Sequence, residues 1–328
     1  VANMTAGNVL IEPGATVDVQ TIEKAVKSGK LNIKYLNENV KRILQMIVKT
    51  PRFKDYKYTN KPDLNAHAQI TRNSAAEGTV LLENKGALPF ASNVKNIALY
   101  GVGSYDPIPG GTGSGNVNSS YTVSIVEGLR NNDYQVDNRI LNTYNSYVKP
   151  AKAEIAKQPH EWWQTLPLPK EIVPADSDLT RAAKDDDIAV ITLERLSGEG
   201  SDRSIADFNL SKEELELINK VTDAFHKEGK KAVVVLNIGG VIESASWKNI
   251  PDAILLPWQC GQEIGNSVAD ILSGKLFPSG KLPMTWPVSV DDVPSTKNFP
   301  ATGMEVNSFA KGQTKYQKMK NVGYTNYE

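Results

Sequence analysis

Residues 187–193, DIAVITL, and 231–238, KAVVVLNI, decide the fold. Each is a short, nearly unbroken apolar run rich in β-branched residues, too short for a buried helix and without the alternation of a half-wet strand. Strands of that kind are buried on both faces, and a sheet built from them is mainly parallel. The runs NIALYGV (96–102) and AILLPW (253–258) extend the set, and TVLLEN (79–84) adds a shorter strand. Between them, residues 66–77, 122–132, 211–228 and 262–273 carry apolar positions at helical spacing. Ser211 with Glu214 three residues on forms a capping box at the start of the third of these helices. Strand and helix in alternation predict an α/β domain, a mainly parallel sheet with helices on both faces.

Outward from that domain the pattern changes. Residues 18–28 and 34–49 read as two amphipathic helices, with Gly29 suited to a helix C-terminus and Pro51 as a stop. Residues 51–65 are polar, aromatic and proline-punctuated, a linker by composition. Residues 133–186 read as a polar insertion with little core of its own, and 288–328 as a polar C-terminal extension. The chain opens without a signal-like segment and stops without tail character, so we read it as an interior piece of a longer polypeptide that does not reveal its compartment.

Composition removes several classes of function. Lys+Arg and Asp+Glu balance at 37 each, which leaves no global field to attract nucleic acid or an anionic membrane. No apolar run approaches the ~20 residues needed to span a bilayer. Cys260 is the only cysteine, so an intrachain disulfide and a cysteine metal cluster are excluded. His67, His160 and His226 are scattered, and no metal or cofactor site is assigned.

Ligands of open parallel sheets gather beyond the carboxyl ends of the strands. Two loops leave such ends. The first, residues 101–116, is glycine-rich and contains GTGSG (111–115) ahead of a helix. It could cradle phosphate at the helix N-terminus, although it lacks both the dinucleotide and the P-loop spacings. It could equally bring amides and the Ser114 hydroxyl to a neutral polyol. The second loop holds Glu199 between Gly198 and Gly200, followed by Asp202 and Arg203, which read as local braces. A glutamate on so pliable a loop is either a solvated side chain or a carboxylate that reaches beyond its own domain. Asp185, Asp186 and Asp187 read as a solvated turn, Trp258 as core, and Trp162 and Trp163 as either a sugar platform or a loop anchor.

With these residues in view the chain resembles the glycoside hydrolase family 3 β-glucosidases. AEGTVLLENKGALPF (76–90), GGTGSGN (110–116), SGEGSDR (197–203) and the block 258–287 resemble family motifs in the family's order, as does the closing NVGYTNYE. TAGNVLIEPG (5–14) and the two helices resemble the end of the family's (β/α)8-like barrel, with Val9 where the family usually has Asp. The resemblance implies a six-stranded α/β sandwich at 66–287 and barrel helices at 1–50. It implies a retaining hydrolase of terminal β-glucosyl residues, with β-xylosidase as the alternative within the family. Glu199 maps onto the acid/base and Ser114 onto a serine that reaches the sugar. The nucleophile is an aspartate of the barrel, upstream of Val1, so the barrel portion is an expected partner and this piece alone is expected to be inactive. The competing class is a non-catalytic nucleotide- or phosphate-binding module built on the 101–116 loop.

Overall fold

The structure is a computed structural model that describes residues 1–12, 14–160, 166–199, 203–293 and 296. It divides into two compact units, Val1–Asp63 and a second that begins at Leu64. The first holds α1 (Ala2–Thr5), α2 (Thr16–Lys27) and α3 (Ile33–Ile47). Met4, Ala25 and Leu31 form its small core. Asn39 on α3 is buried because its amide donates to the carbonyls of Met4 and Asn8, both at 3.1 Å.

The second unit runs α4 (Leu64–Gly78), β1 (Val80–Asn84), β2 (Asn96–Tyr100), α5 (Ile125–Asn131), β3 (Gln135–Val136), α6 (Asn138–Ile155) and α7 (Asp176–Asp185). It continues with β4 (Ile188–Arg195), α8 (Ile205–Phe208), α9 (Lys212–Lys227), β5 (Lys231–Ile238), β6 (Ala253–Leu256) and α10 (Ile264–Leu272). The six strands form one sheet in the order β1-β6-β5-β4-β2-β3. Every pairing is parallel except that of β1 with β6.

The runs that predicted buried strands are buried on both sides. Ile188, Val190, Val233 and Val235 face one core, and Ala189, Ile191, Val234 and Leu236 face the other. Helices α4, α5 and α10 cover the first face and α6, α7 and α9 the second. The domain is therefore a three-layer α/β sandwich around a mostly parallel six-stranded sheet. Ser211 caps α9 as its capping box predicts, its hydroxyl accepting from Glu214 N at 3.1 Å.

Two expectations change. The stretch 133–186 is not an insertion without core. Ile140, Tyr144 and Val148 of α6 recur every four residues and are buried, as are Leu179, Ala182 and Ala183 of α7. Those apolar positions are few and partly alanine, so their helical period is diluted by the polar face around them. The triad 185–187 is not a solvated turn either. Asp187 Oδ2 accepts the amides of Lys95 and Asn96, both at 2.8 Å, and so ties the start of β2 to that of β4. Asp186 is only 4% exposed, and burial pushes its carboxyl up to about 7. Among the described residues no helix is long and apolar enough to cross a membrane.

Candidate active site

From β2 the chain proceeds outward to β3 at the sheet edge, then returns to place β4 on the other side of β2. The connection after β2 leads to α5 on one face, and that after β4 leads to α9 on the opposite face. This reversal opens a crevice between the carboxyl ends of β2 and β4. The glycine loop and the Glu199 loop both enter it.

They meet at Glu199. Its Oε2 accepts from the Ser114 hydroxyl at 2.6 Å and from the Ser114 amide at 2.9 Å. Thr112 Oγ1 donates to the Glu199 carbonyl at 2.5 Å. Gly113 and Gly198 serve close approach rather than swing. Gly113 has φ +60°, and a Cβ there would lie 2.6 Å from the Glu199 side chain. A Cβ on Gly198, at φ +156°, would meet Thr112 N at 2.5 Å. The expected free tether is thus a loop docked on its neighbour. The carboxylate itself faces solvent. The Ser114 hydroxyl, and secondly its amide, hold the carboxyl below the usual range by bonding the ionised form.

The floor of the crevice is acidic, with Glu194 buried and Glu171 half-buried. Glu171 accepts from Val102 N at 2.9 Å and from the Tyr144 hydroxyl at 3.1 Å, fixing the start of the glycine loop. Glu194, at the end of β4, is buried with Oε2 unpartnered, and desolvation pushes its carboxyl well above the ordinary value. A cavity of about 680 Å³ lies beside both and reaches Thr112, Ser197 and Gly198. A larger one of about 1100 Å³ extends between the glycine loop, α6 and residues 166–169. Nothing in the residue order marks Glu171 or Glu194 as special, because the signal is burial, which only packing supplies.

The remaining candidates fall elsewhere. GTGSG does not run into a helix; it ends in a tight turn at Gly113–Gly115, and α5 starts only at Ile125. The α5 N-terminus is already capped by Ser124 and Glu127. The helix-dipole premise of the phosphate reading is therefore lost. His160 and His226 bind Gln158 O and Asp252, and His67 lies on α4. Among the described residues no group of three His, Cys, Asp or Glu is placed to hold a metal. Trp258 is half-buried rather than core, stacked on Trp286 at 6.2 Å between centroids. Arg203 braces the loop as expected, but through Asp207. Asp202, Trp162 and Trp163 lie outside the described residues.

Residues 79–325 match the model of the glycosyl hydrolase family 3 C-terminal domain. The chain belongs to glycosyl hydrolase family 3. Among solved family members, β-glucosidase 3B from Thermotoga neapolitana, in complex with α-D-glucose, superposes with a TM-score of 0.84 at 42% identity. That likeness covers 92% of this chain and 43% of the other. A β-glucosidase from Ruminococcus albus is 31% identical over 82% of this chain and 29% of its own length. β-Glucosidase A from Butyrivibrio fibrisolvens is 32% identical over 71% of this chain and 30% of its own. The family 3 chain described here thus spans about a third of these curated relatives.

Proposed function

We propose that this domain supplies the proton-handling half of a retaining β-glucosidase centre, with Glu199 as acid/base. The barrel, whose last helices we read in residues 1–50, supplies the nucleophile; residues 51–65 link the two, and 288–328 lead onward. The observation that carries the reading is the meeting of Ser114 and Glu199 in the crevice where ligands of such sheets bind.

In the first step Glu199 donates its proton to the glycosidic oxygen as the nucleophile displaces it; in the second it removes a proton from the attacking water. The hydroxyl bond from Ser114 favours the ionised carboxylate, which suits the second step. Substrate reverses that bias. A sugar hydroxyl that draws Ser114 away removes one stabilising bond, and exclusion of water around Glu199 disfavours its charge. Both raise its pKa when an acid is needed.

The test is Glu199→Ala in the complete polypeptide. With an activated aryl β-glucoside, azide should restore turnover by replacing the water that the missing base no longer activates, yielding the glycosyl azide. No rescue by azide excludes the role.

A further inference from the structure

Arg195 ends β4 and Arg203 follows Glu199 by four residues, and both guanidinium groups turn onto one residue, Asp207. Arg195 Nε donates to the Asp207 carbonyl at 2.8 Å and lies 3.5 Å from its Oδ1. Arg203 Nε pairs with Asp207 Oδ2, and its Nη2 donates to the same carbonyl at 3.0 Å. Each arginine is also tied to the scaffold. Arg195 forks onto Glu214 at 2.5 and 2.7 Å and donates to Asn209 O at 3.1 Å. Arg203 Nη1 donates to Val241 O at 2.7 Å, just beyond β5. Asp207 sits on α8, where the Ser204 hydroxyl accepts its amide at 3.1 Å.

We propose that Asp207 is a positioning residue for Glu199. One carboxylate between two cations fixes the separation of the loop's two ends. Residues 196–199, which follow Arg195 directly and are tied to the glycine loop through Thr112 and Ser114, then have little freedom to move the Glu199 carboxylate. Without that charge Arg195 keeps Glu214, but Arg203 loses its carboxylate partner and the two arginines are joined only through the Asp207 carbonyl. A displacement of about 1 Å at a reacting group can cost on the order of a hundredfold in rate. This inference rests on the acid/base reading of Glu199.

The experiment compares Asp207→Asn and Arg203→Lys with the unaltered complete polypeptide on two substrates. Methyl β-glucoside has a leaving group that needs a proton; dinitrophenyl β-glucoside has one that does not. For both variants kcat/KM on the methyl glucoside should fall about tenfold or more, while that on the dinitrophenyl glucoside changes by less than about threefold. Equal losses on the two substrates indicate general damage and overturn the proposal, as does unchanged activity on both. If Asp207→Asn does not fold, Arg203→Lys, which keeps the charge but not the fork, decides by the same outcomes. Glu199→Ala runs alongside. If it too lacks leaving-group dependence, the acid/base reading has failed; if it has that dependence and the Asp207 and Arg203 variants do not, only the clamp has failed.

Discussion

Ser114 and Glu199, 85 residues apart in the chain, share a hydrogen bond of 2.6 Å between hydroxyl and carboxylate. Ser114→Ala removes that bond and leaves the weaker contribution of the amide. The carboxyl should therefore titrate at higher pH, nearer the ordinary glutamate range. A depressed carboxyl stabilises the fold above its unfolded pKa, and that contribution is lost as pH falls through the folded value. Ser114→Ala should shrink this acid-side loss. Carbon-detected titration of the Glu199 carboxyl checks it, and a value unmoved or lowered contradicts the assignment.

Gly113→Ala should displace Glu199 rather than unfold the domain. The added methyl falls 2.6 Å from the Glu199 side chain, at a backbone φ of +60° that alanine tolerates poorly. The stability cost should be about 1 kcal/mol, in line with a strained positive-φ alanine. Activity of the complete polypeptide should fall by about tenfold or more, a loss the small change in stability does not account for at temperatures well below the melting point. Thermal melting beside kinetics separates the two effects.

Glu214→Ala should be among the most damaging single changes in this domain. It leaves the Arg195 guanidinium buried without its forked partner. Removing one member of a buried pair costs about 3–5 kcal/mol. Urea unfolding measures it, and a loss below about 1 kcal/mol would place the pair with ordinary surface bridges.

Asp186 should make the domain less stable as pH rises. Burial lifts its carboxyl from 3.8 to about 7, with the Asp137 charge adding to the effect. Between those two values the folded state holds a proton that the unfolded state has released, so stability declines across the interval and levels off above it. Asp186→Asn removes the titration. Its advantage over the natural residue should be largest above about pH 7 and absent below about pH 4, reaching a few kcal/mol. Thermal midpoints from pH 4 to 8 report it.

Cys260 should resist alkylation in the native state. Burial pushes its thiol up to about 12, so little thiolate exists at pH 8. Reaction with iodoacetamide should be slow when folded and fast in urea. Equal rates would mean the thiol is exposed.

The sheet was legible because its central strands are buried on both faces, which demands continuous apolar runs. β5 coincides with the run KAVVVLNI, and β4 starts one residue into DIAVITL and continues to Arg195. The two-residue β3 escaped, since Gln135–Val136 is too short to hold a period. Helices α6 and α7 escaped for a related reason, since their buried faces are narrow and partly alanine. Family membership was readable from motif order, and the motifs alone brought forward Glu199 and Ser114 as candidates.

What residue order determined was periodic burial: which segments are strands and helices, which faces turn inward, and where loops leave the sheet. Proximity across the crevice was decided only by the tertiary fold. The return of β4 beside β2 brings Ser114 onto Glu199. The physical reason is range. Hydrophobic patterning acts between neighbours on one element, whereas charge pairing and desolvation at Asp186, Glu194 and Glu214 depend on groups from distant segments that meet only when the layers close.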